Sequence, residues 1–229
     1  MSMNIWNTKI YKIFERLFRL DLIPLFCINV IIYIVALYVE LNYLYSNSYY
    51  YKILVGKLSS PQKILQEIAA QKGMDIYNYL WIPVHVLLTC LLIGICIFLG
   101  FNIINLRLQL KDSFRLVMAC SFVFPVNYLV SVILKIVNIV SYNEYNIDDE
   151  YAYQSVVSIF NASNIPIWEY SILRQINITE IIFILFLSVA LSQRMQIKFS
   201  KSVIDTTIIY TIGLTIYGIV SVFAGYILT

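Results

Sequence analysis

What this chain has least of is charge. Only 13% of its 229 residues are Asp, Glu, Lys or Arg, the formal net charge is +3, and there is a single histidine, His85. With 60% hydrophobic residues and a mean hydropathy of +0.78, that scarcity excludes a soluble domain, which could not hide so much apolar surface. The few basic residues are spread among short segments, not gathered into a patch that could neutralise several phosphates, so nucleic acid is not an expected partner. Catalytic signatures are missing as well: there is no glycine-rich phosphate loop, no His-Glu-x-x-His pair, no Gly-x-Ser-x-Gly elbow and no pair of intramembrane aspartates. No catalytic residue, no cofactor and no enzymatic activity is therefore expected. All four cysteines (Cys27, Cys90, Cys96, Cys120) lie in apolar runs, where they act as small hydrophobes and suggest neither disulfides nor a zinc site. The acidic run Asp148-Asp149-Glu150 lacks EF-hand spacing and reads as a solvated loop, so no metal site is expected.

What is present is a series of long apolar segments. They imply an all-α polytopic helix bundle forming one domain over residues 1–229, with about five spans at 22–41, 79–100, 114–140, 172–193 and 203–228. Residues 1–20 place Trp6, Ile10, Phe14 and Leu17 on one helical face among basic neighbours, which suits an interfacial amphipathic helix or a basic flank of span one. The first apolar run is too long and too late for a signal peptide and reads as a retained span. Tyr43, Tyr45, Tyr49, Tyr50 and Tyr51 then suit an aromatic belt. Pro61, with apolar residues at helical spacing and Gly73 as a stop, predicts a short helix lying flat outside the membrane. Pro125, near the centre of span three, predicts a kink. Span four is the weakest, because only Ile181–Leu191 is free of strongly polar residues and a full crossing draws in Arg174, Gln175 and Asn177. In span five, Gly218, Ser221 and Gly225 share a face suited to close helix packing. Asn161-Ala162-Ser163 and Asn177-Ile178-Thr179 match the glycosylation pattern, which has meaning only in a eukaryotic source.

Basic residues near the span ends set the orientation. With the N-terminus cytoplasmic, ten fall inside (Lys9, Lys12, Arg16, Arg19, Arg107, Lys111, Arg115, Arg194, Lys198 and Lys201). Five fall outside (Lys52, Lys57, Lys63, Lys72 and Arg174), together with the acidic loop that follows span three. Five spans then put the C-terminus outside. A multi-pass protein of a cell membrane is implied, and richness in Ile, Asn, Lys and Tyr is compatible with a bacterial inner membrane.

Four ionisable residues break the apolar rule within or at the ends of spans: Glu40, His85, Lys135 and Glu180. On this topology all four share the outer leaflet. Either they converge on a polar cavity, which could take an anion, a lipid headgroup or a proton, or each reaches the headgroups separately. Asn29 and Asn127 lie deeper and read as inter-helix hydrogen-bonding residues.

Three motifs also resemble the Yip domain, a five-span membrane family. They are Lys111-Asp112-Ser113-Phe114-Arg115 opening a span with Pro125 eleven residues after the phenylalanine, Gln175-Ile176-Asn177-Ile178-Thr179-Glu180 opening span four, and Phe199-Ser200-Lys201-Ser202 between spans four and five. The resemblance covers about Ile103 to Ile216. It implies a five-helix module without known catalysis, whose eukaryotic members are associated with trafficking GTPases and vesicle membranes. This chain lacks the Asp-Leu-Tyr-Gly-Pro stretch of those members, so the resemblance points to a prokaryotic relative of unassigned role, not to a GTPase partner. The expected function is thus a scaffold or accessory subunit in the lipid bilayer, with a membrane-protein partner or a second copy of itself. The alternative is a small transporter or channel component that uses the outer-leaflet polar residues.

Overall fold

The computed structural model describes residues 20–55, 60–141, 147, 149–151, 153–159 and 166–228. The amphipathic segment before Leu20, the Asn161 glycosylation pattern, Asp148 and the C-terminal residue lie outside this set. Among the described residues the chain is helical, and five helices are long and apolar enough to cross a membrane. It is an all-α integral membrane protein.

Helix α1, Leu22–Val39, carries no charge and continues through a π-helical turn at Glu40–Leu44. Short α2, Asn47–Val55, packs Leu54 against Ile64 and Ile68 of α3. Helix α3 runs unbroken from Pro61 to Ile103, 43 residues, and corrects the expectation of a separate flat helix stopped by Gly73. A mid-helix glycine weakens a helix by only about 1 kcal/mol relative to alanine, too little to end one that continues in phase. At 1.5 Å per residue α3 is about 65 Å long, roughly twice the hydrocarbon thickness, so it projects well beyond the apolar layer.

Span three consists of α4, Leu110–Cys120, and α5, Val123–Ile136, separated by a break at Ser121–Phe122. Pro125 has no N–H for the carbonyl of Ser121, and Phe124 N donates to that carbonyl instead at 3.0 Å. The expected kink therefore lies one turn before the proline. This span is the centre of the bundle: 67% of its most apolar window is buried, against 22% in spans one, two and five. Short α6, Ile167–Arg174, precedes span four, α7, Ile178–Met195. Arg174, Gln175 and Asn177 thus stay outside span four, which reaches about 27 Å at 18 residues. Helix α8, Phe199–Leu228, is span five.

Three helix ends share one device. Asn105, Asn138 and Gln196 take left-handed φ values of 61°, 57° and 56°. The N–H of the next residue then reaches back five positions: Leu106 to Phe101 O, Ile139 to Leu134 O and Ile197 to Ser192 O. Span three accordingly ends at Ile136 and not at 140.

The core, with Ile97, Phe101, Val117, Phe183 and Leu187 at 0% exposure, draws on spans two, three and four and extends to Leu25 and Tyr210 of spans one and five. Asn29 Nδ2 donates to Leu25 O and, across to α4, to Met118 O at 3.2 Å. Ser113 Oγ donates to Gly94 O at 2.7 Å, and Ser202 Oγ to Ser188 O at 2.8 Å. Spans two and five approach closely at Gly213 of span five and Gly100 of span two. A Cβ on Gly213 would lie 2.4 Å from Cys96 Sγ, and one on Gly100 would lie 2.3 Å from Ile209 Cγ2. Gly218 faces the Gln175 side chain, while the surroundings of Ser221 and Gly225 lie outside the described set.

Candidate functional site: a cavity beneath a fastened loop

The described residues of the acidic loop after span three do not form a solvated strap. Lys135, 3% exposed, donates from Nζ to Ile147 O at 2.6 Å and Asp149 O at 3.1 Å. Asn127 does not bridge two spans as its depth suggested. Its Nδ2 donates to Glu150 O at 3.3 Å, and its Oδ1 accepts from Tyr153 OH at 2.8 Å and Gln154 Nε2 at 2.6 Å. Gln154 also donates to Thr179 Oγ1 at 2.5 Å. A short antiparallel bridge pairs Ser155 with Asn177, with Val156 N donating to Ile176 O at 3.0 Å. The loop is thereby laced onto α5 and the start of α7.

Within this lacing Asp149, 7% exposed, is fully engaged. One oxygen accepts Arg174 Nε and Tyr151 N, both at 2.9 Å, and the other accepts Tyr170 OH. Arg174 also lies over the Tyr151 ring, 5.4 Å from its centroid. Asn177 caps α7, its Oδ1 accepting Glu180 N at 2.9 Å, which explains locally why Asn-x-x-Glu opens this helix.

Under the loop lies a cavity of about 450 Å³. Each of the five spans contributes to it, by Tyr33, His85, Phe124, Glu180 and Tyr210 in turn, and the loop contributes Glu150. Of the four sequence candidates, His85 and Glu180 line this cavity and Glu40 and Lys135 do not. Lys135 holds the loop, as described. Glu40, 7% exposed at the end of α1, accepts the phenol of Tyr128. The Tyr128 ring is 5.9 Å from that of Tyr33, whose other neighbour at 5.9 Å is the His85 ring. Glu40 therefore adjoins the cavity through two tyrosines without opening onto it. Glu180 Oε2 accepts Tyr210 OH at 2.6 Å.

Glu150 is the residue whose role composition concealed. It is half-buried, accepts a hydrogen bond from Tyr151, and has its carboxyl pushed up to about 7. Burial is the largest cause, with Glu40 and Asp149 adding to it and Tyr151 and Arg174 opposing it. The neighbouring phenols of Tyr151, Tyr153 and Tyr170 are pushed up as well, chiefly by burial. Among the described residues no three of His, Cys, Asp and Glu stand close enough together to chelate a metal ion.

No family model, curated protein or solved structure matches the chain. The cavity's own chemistry therefore carries the reading of function.

The opposite end of the bundle is held differently. Arg194 donates to Asp112 Oδ2 at 2.6 Å, joining α7 to α4, and Arg115 Nε donates to Leu20 O at 3.0 Å. Arg107, Lys111, Lys198 and Lys201 all flank helix ends here, away from the acidic loop.

Proposed function

We propose that this is a non-enzymatic, multi-pass membrane protein that takes a small solute into the cavity beneath the acidic loop, as a transporter or a component of one. The observation that carries this reading is the convergence of all five spans on one cavity of about 450 Å³, inside the usual size range of small-molecule sites. Its walls are mostly aromatic and aliphatic, with a few polar groups supplied by separate helices, as such sites require. The asymmetry of basic residues supports a cytoplasmic N-terminus and a cavity facing the outside of a cell membrane, bacterial by composition. Its resemblance to the Yip domain supports a non-catalytic module but leaves the cargo open. A scaffold role, the second reading, takes its motive from the absence of catalytic signatures together with a last span suited to close packing. Gly218 of that span meets the Gln175 side chain of the same chain, while the surroundings of Ser221 and Gly225 lie outside the described residues.

Protein reconstituted in lipid nanodiscs tests this reading by thermal unfolding in a panel of small aromatic solutes. At least one solute is expected to raise the unfolding temperature of the native chain and to leave that of Thr89→Phe, which fills the cavity from α3, unchanged. A panel that shifts both proteins equally, or neither, contradicts it.

A further inference from the structure

Resting on that cavity reading, we infer that the ligand is a small organic ammonium ion with an apolar, ring-sized body. Two carboxylates, Glu150 and Glu180, line the cavity, and among the described residues neither forms an ion pair with a basic group. Arg174, which also lines the cavity, supplies only part of that charge, since its Nε is 2.9 Å from an Asp149 oxygen and its single positive charge is shared with that third carboxylate. His85 meets the cavity beside the Tyr33 ring and makes no hydrogen bond among the described residues. With the acids ionised, as at pH 8, the local balance of Glu150, Glu180, Asp149 and Arg174 is therefore negative, in a site walled largely by hydrocarbon and tyrosine rings. A carboxylate left there without a cation is expensive, and a ligand that brings one is correspondingly favoured.

The kind of cation follows from what surrounds the carboxylates. A metal ion needs several hard ligands around one point, and the described acids, histidine and cysteines do not supply three. An ammonium group needs only two or three acceptors. An oxygen of Glu150 or of Glu180 can serve while Tyr151 and Tyr210 keep their hydrogen bonds to these carboxylates, and the tyrosine hydroxyls lining the cavity offer further acceptors. Tyrosine faces attract a desolvated cation, and Phe124 and Leu214 give its apolar body a dry surface. An anion would meet the same two carboxylates, with Arg174, whose charge is already shared with Asp149, as the one Lys or Arg side chain among the described lining residues.

Three isosteric probes separate this inference from the cavity reading beneath it: benzylammonium, benzyl alcohol and benzoate. Each is titrated calorimetrically into the nanodisc-reconstituted protein at pH 8, with empty nanodiscs as the blank for partition into lipid. Benzylammonium is expected to bind about tenfold or more tightly than either isostere, and to lose about tenfold or more in Glu150→Gln and Glu180→Gln. Thermal unfolding of both variants, carried out first, shows that they are folded before their affinities are compared. Saturable binding of benzyl alcohol or benzoate at least as tight, abolished by Thr89→Phe, overturns the charge assignment and leaves the cavity reading standing. Saturable binding of none of the three overturns both.

Discussion

Tyr210 and Glu180 face one another across α8 and α7, the phenol donating to Oε2 at 2.6 Å while its ring lies 5.3 Å from that of Phe183. One side chain thus both packs into the core and holds an acid at the cavity wall. Tyr210→Phe keeps the ring contact and removes the donor. We expect a loss of about 1–3 kcal/mol, the usual effect of leaving a part-buried carboxyl short of a partner, read as a lower unfolding temperature with unchanged helix content.

Lys135 is a tether, not a headgroup anchor. Lys135→Met fills similar space but leaves the carbonyls of Ile147 and Asp149 without that donor. At about 1–3 kcal/mol for each buried carbonyl left unsatisfied, a loss of several kcal/mol is expected. Limited proteolysis of the variant should cut first within the acidic loop. Unfolding and cleavage identical to those of the native protein would show that the loop is held by other means.

The contact between spans two and five lends itself to a double-mutant cycle. Gly213→Ala alone sets a methyl 2.4 Å from Cys96 Sγ and is expected to destabilise by about 1–3 kcal/mol. Cys96→Ala removes the obstructing sulfur, so the double variant should recover most of that loss. Strictly additive losses would mean that the two side chains do not meet.

Glu150 makes the protein pH-sensitive in a definite direction. Its carboxyl sits at about 7 when folded, against an ordinary 4.5, so folding favours its neutral form. The stabilisation is complete below about 4.5 and is lost as pH rises through about 7. Glu40 of α1, Asp149 of the loop and Arg174 of α6 act on it electrostatically, with His85 and Glu180 around the same cavity. Unliganded protein should therefore unfold at a lower temperature at pH 8 than at pH 5, and Glu150→Gln should flatten that difference. Affinity for an ammonium ligand should rise over the same interval, because the charged carboxylate is the form that binds.

The spans were legible in the sequence because twenty apolar residues have no other home, and the kink at Pro125 followed from one missing N–H. The helix limits were less so. Gly73 resembles a stop until α2 is seen packed on the turns before it, and the left-handed Asn138 ends span three inside an apolar run. His85 and Glu180 could be singled out because ionisable residues in spans are rare. Glu150 could not, because an acidic run in a polar loop looks solvated, and Arg174 stood out only as an external basic residue near span four. Only the bonds from Lys135 and Asn127 turn that loop inward. Asn127 was the available signal: an amide buried at that depth needs several partners, and the polar loop that follows could supply them.

If the cavity takes solutes as proposed, water and small solutes reach it from the side of the acidic loop, and modification of single cysteines reads that access. In a Cys-free background, cysteine is placed at Thr89, which lines the cavity, and at Ser188, which is 0% exposed in the core. Both are treated in intact cells with a membrane-impermeant thiol reagent. Rapid labelling at position 89, slowed by benzylammonium, with none at position 188, is the expected result. Position 89 as unreactive as position 188, both in intact cells and in inverted vesicles, would contradict the account.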